Sequence, residues 1–381
     1  MFYIQLTMTN NFAFKIREWL FSIKDLGPQM NQQYQNIYDY YISGKGLELG
    51  KLEDETIKFL DKNKKVTDHD DYFNNFTPLW QFLLQQGLLL YAEQVWEIAV
   101  NATKKWEQRN TDQKIHKGAG YYFWAVTCIY KEDLEKGFLL MHEALEEDKR
   151  NLTPNSSNTP AHAFVILNFD EQHQFFRNKI LEVARFAEQK ITNYRASRNG
   201  KLTLDEFKIK ILQNPDLIEQ VFLFVFELFH LKKILAENKR GLTLSAYGSM
   251  LMVQSIFTFN LLIDNIIKYK YNIEDPHKQN FIDLLTFLSK KANLELDKSK
   301  LRWINKLFTN NFQDTLQRLI NSRSLFGTTK LQTIEEDIAI IYGFRNSVAH
   351  KIRYRPYIHA DFNSIVDRLF NVFFLSVEIL Y

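Results

Sequence analysis

Chain breakers are scarce in this sequence. Thirteen glycines and seven prolines serve 381 residues, whereas a fold of many short strands needs turn formers at much closer spacing. The scarcity favours long helices. A single cysteine, Cys128, excludes an intramolecular disulfide and a cysteine-ligated zinc or iron–sulfur centre. The nine histidines show neither an HExxH pattern nor clustered ligand spacing, so no metal and no cofactor is expected. Long apolar runs are also missing. The most apolar stretch, Phe222 to Leu235, is interrupted by Glu227, His230, Lys232 and Lys233 and is too short to span a bilayer. Met1-Phe2-Tyr3-Ile4 opens no basic region followed by an unbroken apolar core, so no signal peptide is expected. The expected setting is the reducing cytoplasm, away from membranes. Gly44 to Lys51 carries glycines, but their spacing is wrong for a phosphate-binding loop and Leu52 stands where Ser or Thr is needed.

Charge of one sign is nearly absent as well. The formal net charge of +3 does not by itself announce a nucleic-acid binder, although roughly +4 falls in Ser245–Tyr381. Within that part Lys290, Lys291, Lys298, Lys300, Arg302, Lys306, Arg318 and Arg323 make a locally basic run that can attract phosphates or simply form a solvated helix surface. The hydrophobic share of 45% with 24% charged residues is that of an ordinary globular protein.

What is present is helical periodicity, and the expected fold class is all-α. Leu79, Phe82, Leu83 and Leu90, continued by Val95, Ile98 and Ala99, follow i, i+3, i+4 spacing. Two blocks resemble each other: Leu79–Gly87 leading into Tyr91–Ala99, and Gly120–Ala125 leading into Asp133–Leu145. Each reads as a helix, a short polar turn and a second helix ending in a small residue. The pair is similar to tetratricopeptide helical hairpins, in which small residues let paired helices pack closely. Residues 1–150 are therefore expected to form a hairpin region that serves as scaffold or binds a regulatory protein or ligand. The turn-rich run Asn151–Pro160 marks a boundary. A middle segment, 161–240, carries a helix over Glu171–Tyr194, a capping box at Thr203-Leu204-Asp205-Glu206, and a helix after Pro215. From 245 to 381 the pattern gives a bundle. Its expected helices cover Met250–Tyr271, Pro276–Ala292, Lys298–Ser322, one opened by a capping box at Thr333–Glu336, and Asp361–Tyr381.

One constellation in that bundle carries chemistry: Arg345-Asn346-Ser347-Val348-Ala349-His350, at the end of a helix and just before a basic turn and the last helix. Arg, a polar residue, a short spacer and then His resembles the signature of the HEPN superfamily of ribonucleases, over about the last third of the chain. Arg353 and His359 form a rival pair with one more intervening residue, but Pro356 lies between them and Tyr354, not a polar amide, follows the arginine.

The residue types suit metal-free RNA cleavage. Histidine titrates nearest neutral pH and can take the proton from a ribose 2′-hydroxyl, or give one to the leaving 5′-oxygen. A guanidinium is always charged and can hold two phosphate oxygens as negative charge grows on them. The resemblance implies catalytic Arg345, Asn346 and His350, an RNA substrate, and a homodimer in which two motif copies share one composite site. Lys351, Arg353 and Arg355 would then hold flanking phosphates and Tyr354 would stack on a base. It further implies a toxin or antiviral defence effector. The alternative is a HEPN-fold scaffold or adaptor that binds RNA or a regulatory partner without cutting, with Arg345 and His350 in purely structural roles.

Overall fold

A computed structural model describes residues 49–62, 71–74, 76–85, 87–152, 155–271, 280–323, 331, 333–350 and 358–381. Every regular element among the described residues is helical, so the protein is all-α. The chain divides into two compact units, one of residues 1–164 and 170–177, the other of 165–169 and 178–381.

The first unit contains α1 (Leu49–Lys62), α2 (Asp71–Asn74), α3 (Thr77–Gln85), α4 (Leu89–Arg109), α5 (Gly118–Tyr130), α6 (Leu134–Asn151) and all but the last residue of α7 (Pro160–Val165). Helices α3/α4 and α5/α6 pack as successive hairpins. Both turns close in the same way. Leu88 N–H reaches back to Leu83 C=O, and Asp133 N–H to Cys128 C=O, the six-residue closure that needs a left-handed residue just past the helix. Gly87 supplies it at φ +73° without strain, whereas Glu132 adopts φ +67° at a cost of about 1–2 kcal/mol. Gly137 permits the second hairpin, since a Cβ there would lie 2.5 Å from Ile129 Cγ1. The core is aromatic: Trp80, Trp96 and Trp106 are fully buried, and Trp96 stacks on Phe123 with centroids 5.0 Å apart. One expected apolar position is corrected. Leu90 is 65% exposed, because the break at Gly87–Leu88 restarts the helix and puts Leu90 out of phase with Leu83.

The second unit contains most of α8 (Gln174–Arg198), then α9 (Leu204–Phe207), α10 (Ile218–Lys239), α11 (Ala246–Tyr271), α12 (Phe281–Lys291), α13 (Lys298–Asn310), α14 (Phe312–Ile320), α15 (Thr333–His350) and α16 (Ile358–Leu380). The capping box at Thr203 forms with both of its hydrogen bonds, yet the α-helix it starts runs only to Phe207 before a π-turn over Lys208–Leu212. The bundle is built around α11, which packs against α10, α15 and α16. By length and composition α11 could cross a membrane, but 61% of its most apolar window is buried within the protein, as befits a core helix.

One sequence expectation changes here. The single helix over Lys298–Ser322 is two helices, broken at Asn311 (φ −147°, ψ 84°), whose side chain accepts from Asp314 N–H and caps α14. Glu336 accepts from Ser322 Oγ at 2.8 Å and Glu335 accepts from Glu295 N–H at 2.8 Å. These carboxylates at the start of α15 make tertiary contacts and sit where the helix dipole favours negative charge.

Candidate active site

The HEPN-like motif lies within α15, not beyond it. Arg345 and Asn346 occupy its penultimate turns and His350 is its last residue. The helix can lie deep in the bundle because Ile338, Ala339, Ile340, Ile341 and Phe344 are all buried. Gly343 allows α13 to approach: a Cβ there would meet the Phe308 ring at 2.2 Å. Phe312 then fills the space edge-on to both Phe308 and Phe344.

That packing fixes where Arg345 goes. Its Nη2 donates to Asp264 Oδ2 at 2.8 Å, and the guanidinium carbon stands 4.2 Å from the centre of the Phe281 ring, within cation–π range. Asp264 is 4% exposed at its side chain while Arg345 keeps 22%. The same Oδ2 accepts from Lys268 one turn later on α11, at 3.1 Å, and Oδ1 is buried without a hydrogen-bond partner among the described residues. Burial pushes the Arg345 pKa below its ordinary value, with Asp264 pulling the other way. A guanidinium remains charged through any such shift. Asn346 points to a different neighbour and donates from Nδ2 to Asn305 Oδ1 at 3.3 Å.

The geometry therefore brings Arg345 and Asn346 together with Asp264, Lys268, Phe281 and Asn305. On a regular helix position 350 follows position 346 by one turn, and the His350 side chain lies outside the described residues, as do Lys351, Arg353, Tyr354 and Arg355. Of the rival pair, Arg353 is likewise outside. His359 is described: it is 8% exposed, neither ring nitrogen has a hydrogen-bond partner among the described residues, and burial lowers its pKa. That is a core histidine in the first turn of α16. The basic run is partly neutralised, since Lys298 pairs with Asp283, Lys300 with Glu295 and Arg318 with Asp314. Arg302 and Lys306 are exposed, one turn apart on the helix that carries Asn305.

Asp264 is the residue that sequence reasoning passed over. Its signal was available: a lone carboxylate in the apolar run Leu261-Leu262-Ile263-Asp264-Asn265-Ile266-Ile267, where an unpaired charge would be costly. Asn305 and Phe281 carried no comparable mark. Among the described residues no group of three or more His, Cys, Asp or Glu side chains could hold a metal ion. No family model, curated protein or solved structure matches the chain.

Proposed function

We propose that residues 245–381 form a HEPN-type endoribonuclease that cuts single-stranded RNA without a metal, as part of a toxin or antiviral defence effector regulated through its N-terminal helical region. The observation that carries this reading is the clamp on Arg345. Asp264 and Phe281 hold the guanidinium from two sides while leaving part of it exposed, in the helix that ends at His350. A preorganised cation of this kind stabilises charge that grows only in the transition state. His350 takes the proton from a ribose 2′-hydroxyl, whose oxygen attacks the adjacent phosphorus. The bond to the 5′-oxygen breaks, giving a 2′,3′-cyclic phosphate and a 5′-hydroxyl. A second protonated histidine would supply the leaving oxygen's proton, which is the role of the partner motif in a homodimer with a composite site. Arg302 and Lys306 add cationic side chains on the Asn305 helix for flanking phosphates, alongside Lys351, Arg353 and Arg355, with Tyr354 to stack on a base.

The test is cleavage of end-labelled single-stranded RNA in EDTA by the full chain and its variants. Chelator-resistant cleavage that is lost in His350→Ala and cut at least a hundredfold in Arg345→Ala supports the site. Unchanged cleavage in both variants assigns the activity elsewhere. A second reading has its own observation: Asp264 already neutralises Arg345, as it would in a HEPN-fold scaffold that binds without cutting. RNA binding without cleavage, with Arg345→Ala losing stability and nothing else, decides for that reading.

A further inference from the structure

The first unit holds a cavity of about 240 Å³ at the start of α5. Tyr122 and Phe123 form its aromatic wall, Pro160 and Ala161 its lip, and Gly118 and Asp148 its polar end. The wall is set before any ligand arrives. Tyr122 is buried, and its hydroxyl donates to Gln172 Oε1 at 2.9 Å and accepts from His173 N–H at 3.3 Å. Gln172 Nε2 in turn donates to Pro160 C=O at 3.2 Å. Asp148, 3% exposed, is held by His116 Nε2 at 2.9 Å. Gly118 is the seat of that pair, since a Cβ there would stand 2.1 Å from Asp148 Oδ1.

The charges around this cavity choose its ligand. A helix N-terminus ordinarily favours an anion, but the acidic side chains of Glu107, Glu147 and Asp148 gather just before this one. Glu107 takes Ile115 N–H at 2.7 Å, Glu147 takes Lys117 N–H at 3.2 Å, and Asp148 takes His116. The buried ammonium of Lys117 is engaged by Glu107 and by Ile115 C=O, both at 2.7 Å. What faces the cavity is a carboxylate and aromatic surface, which repels anions and receives donors.

We propose that this cavity binds a small flat molecule bearing an amino group, its ring against Tyr122 and Phe123 and its donor toward Asp148. The proposal deepens the regulatory-ligand part of the function above and rests on that part alone. A preformed, mostly apolar pocket with one placed polar group is the usual architecture of a small-molecule site.

Tyramine and tryptamine serve as probes, with 4-hydroxyphenylpropionate and indole-3-propionate as carboxylate counterparts of similar shape. Binding to the full chain is followed by saturation-transfer NMR and titration calorimetry. Both amines are expected to bind at least tenfold more tightly than their counterparts. Ala119→Leu, which adds bulk at a residue lining the cavity, should weaken the amines by tenfold or more, and Asp148→Asn should do the same. Absence of amine binding, equal binding of amines and carboxylates, or full tyramine affinity in folded Ala119→Leu overturns the proposal. Loss of RNA cleavage in His350→Ala bears on the ribonuclease reading and leaves this one untouched.

Discussion

Glu227 stands in the middle of α10, 1% exposed, with neither carboxylate oxygen hydrogen-bonded among the described residues. Burial raises its pKa from the ordinary 4.5 to about 8. In the unfolded chain the group ionises near 4.5, so between that pH and about 8 the native state holds one proton more. Stability therefore falls as pH rises through this window, by about 1.4 kcal/mol per unit from this group, and the loss levels off above pH 8. Glu227→Gln should flatten that part of the profile and be more stable than the parent at pH 8 than at pH 5, relative to it, in urea denaturation. An unchanged slope would mean that Glu227 has a partner that keeps it ionised. The sequence placed this glutamate as an interruption in an apolar run, but not its burial. One residue in a helical window says nothing about which side the neighbouring helices will take.

Among the elements, α15 shows how a helix end becomes a candidate site. Gly343 is a poor helix former, and alanine there would gain about 1 kcal/mol in intrinsic propensity. The clash with Phe308 outweighs this, because overpacking costs about 1–3 kcal/mol and Phe308 is wedged against Phe312. Gly343→Ala should thus lower the unfolding midpoint rather than raise it, and a rise would show that the ring can move aside at no cost. The α13–α14 break makes a second prediction. Asn311→Ala removes the hydrogen bond to Asp314 N–H and should destabilise by about 0.5–2 kcal/mol, read from a denaturant titration. If 298–322 behaved as one continuous helix, the same change would be neutral or stabilising. Periodicity missed this break because Asn311 disturbs the apolar stripe by only one position. A cap is a property of the three-dimensional turn, not of the repeat.

At the scale of the whole second unit, a buried polar network ties together segments far apart in sequence. Asp337, fully buried, accepts from Arg198 Nε and Nη2 at 2.6 and 2.9 Å and from Asn371 at 2.8 Å, with Arg368 3.4 Å away. Arg368 also donates to Ile320 C=O at 2.9 Å. Helices α8, α14, α15 and α16 are thereby pinned around one carboxylate, two turns before the Arg345–Asn346 pair. Burial raises the Asp337 pKa against the pull of the two guanidiniums. Asp337→Ala would leave both cations buried without that counter-charge and should cost about 3–5 kcal/mol. Urea unfolding measures it, and a loss below about 1 kcal/mol would mean that water relieves the arginines.

Local sequence information settled the helical class, the hairpin turns at Gly87 and Lys131–Asp133, and the segment in which Arg345, Asn346 and His350 stand. These follow from backbone propensity and short-range spacing, which act within a few residues. Tertiary structure alone decided that Arg345 meets Asp264 across 81 residues and that Asn346 meets Asn305. It also placed the Arg198–Asp337 network and left a carboxylate at the end of the α5 cavity. Each of those depends on which helices share a core, and that choice is made by packing and desolvation summed over the whole unit, beyond the reach of any local window.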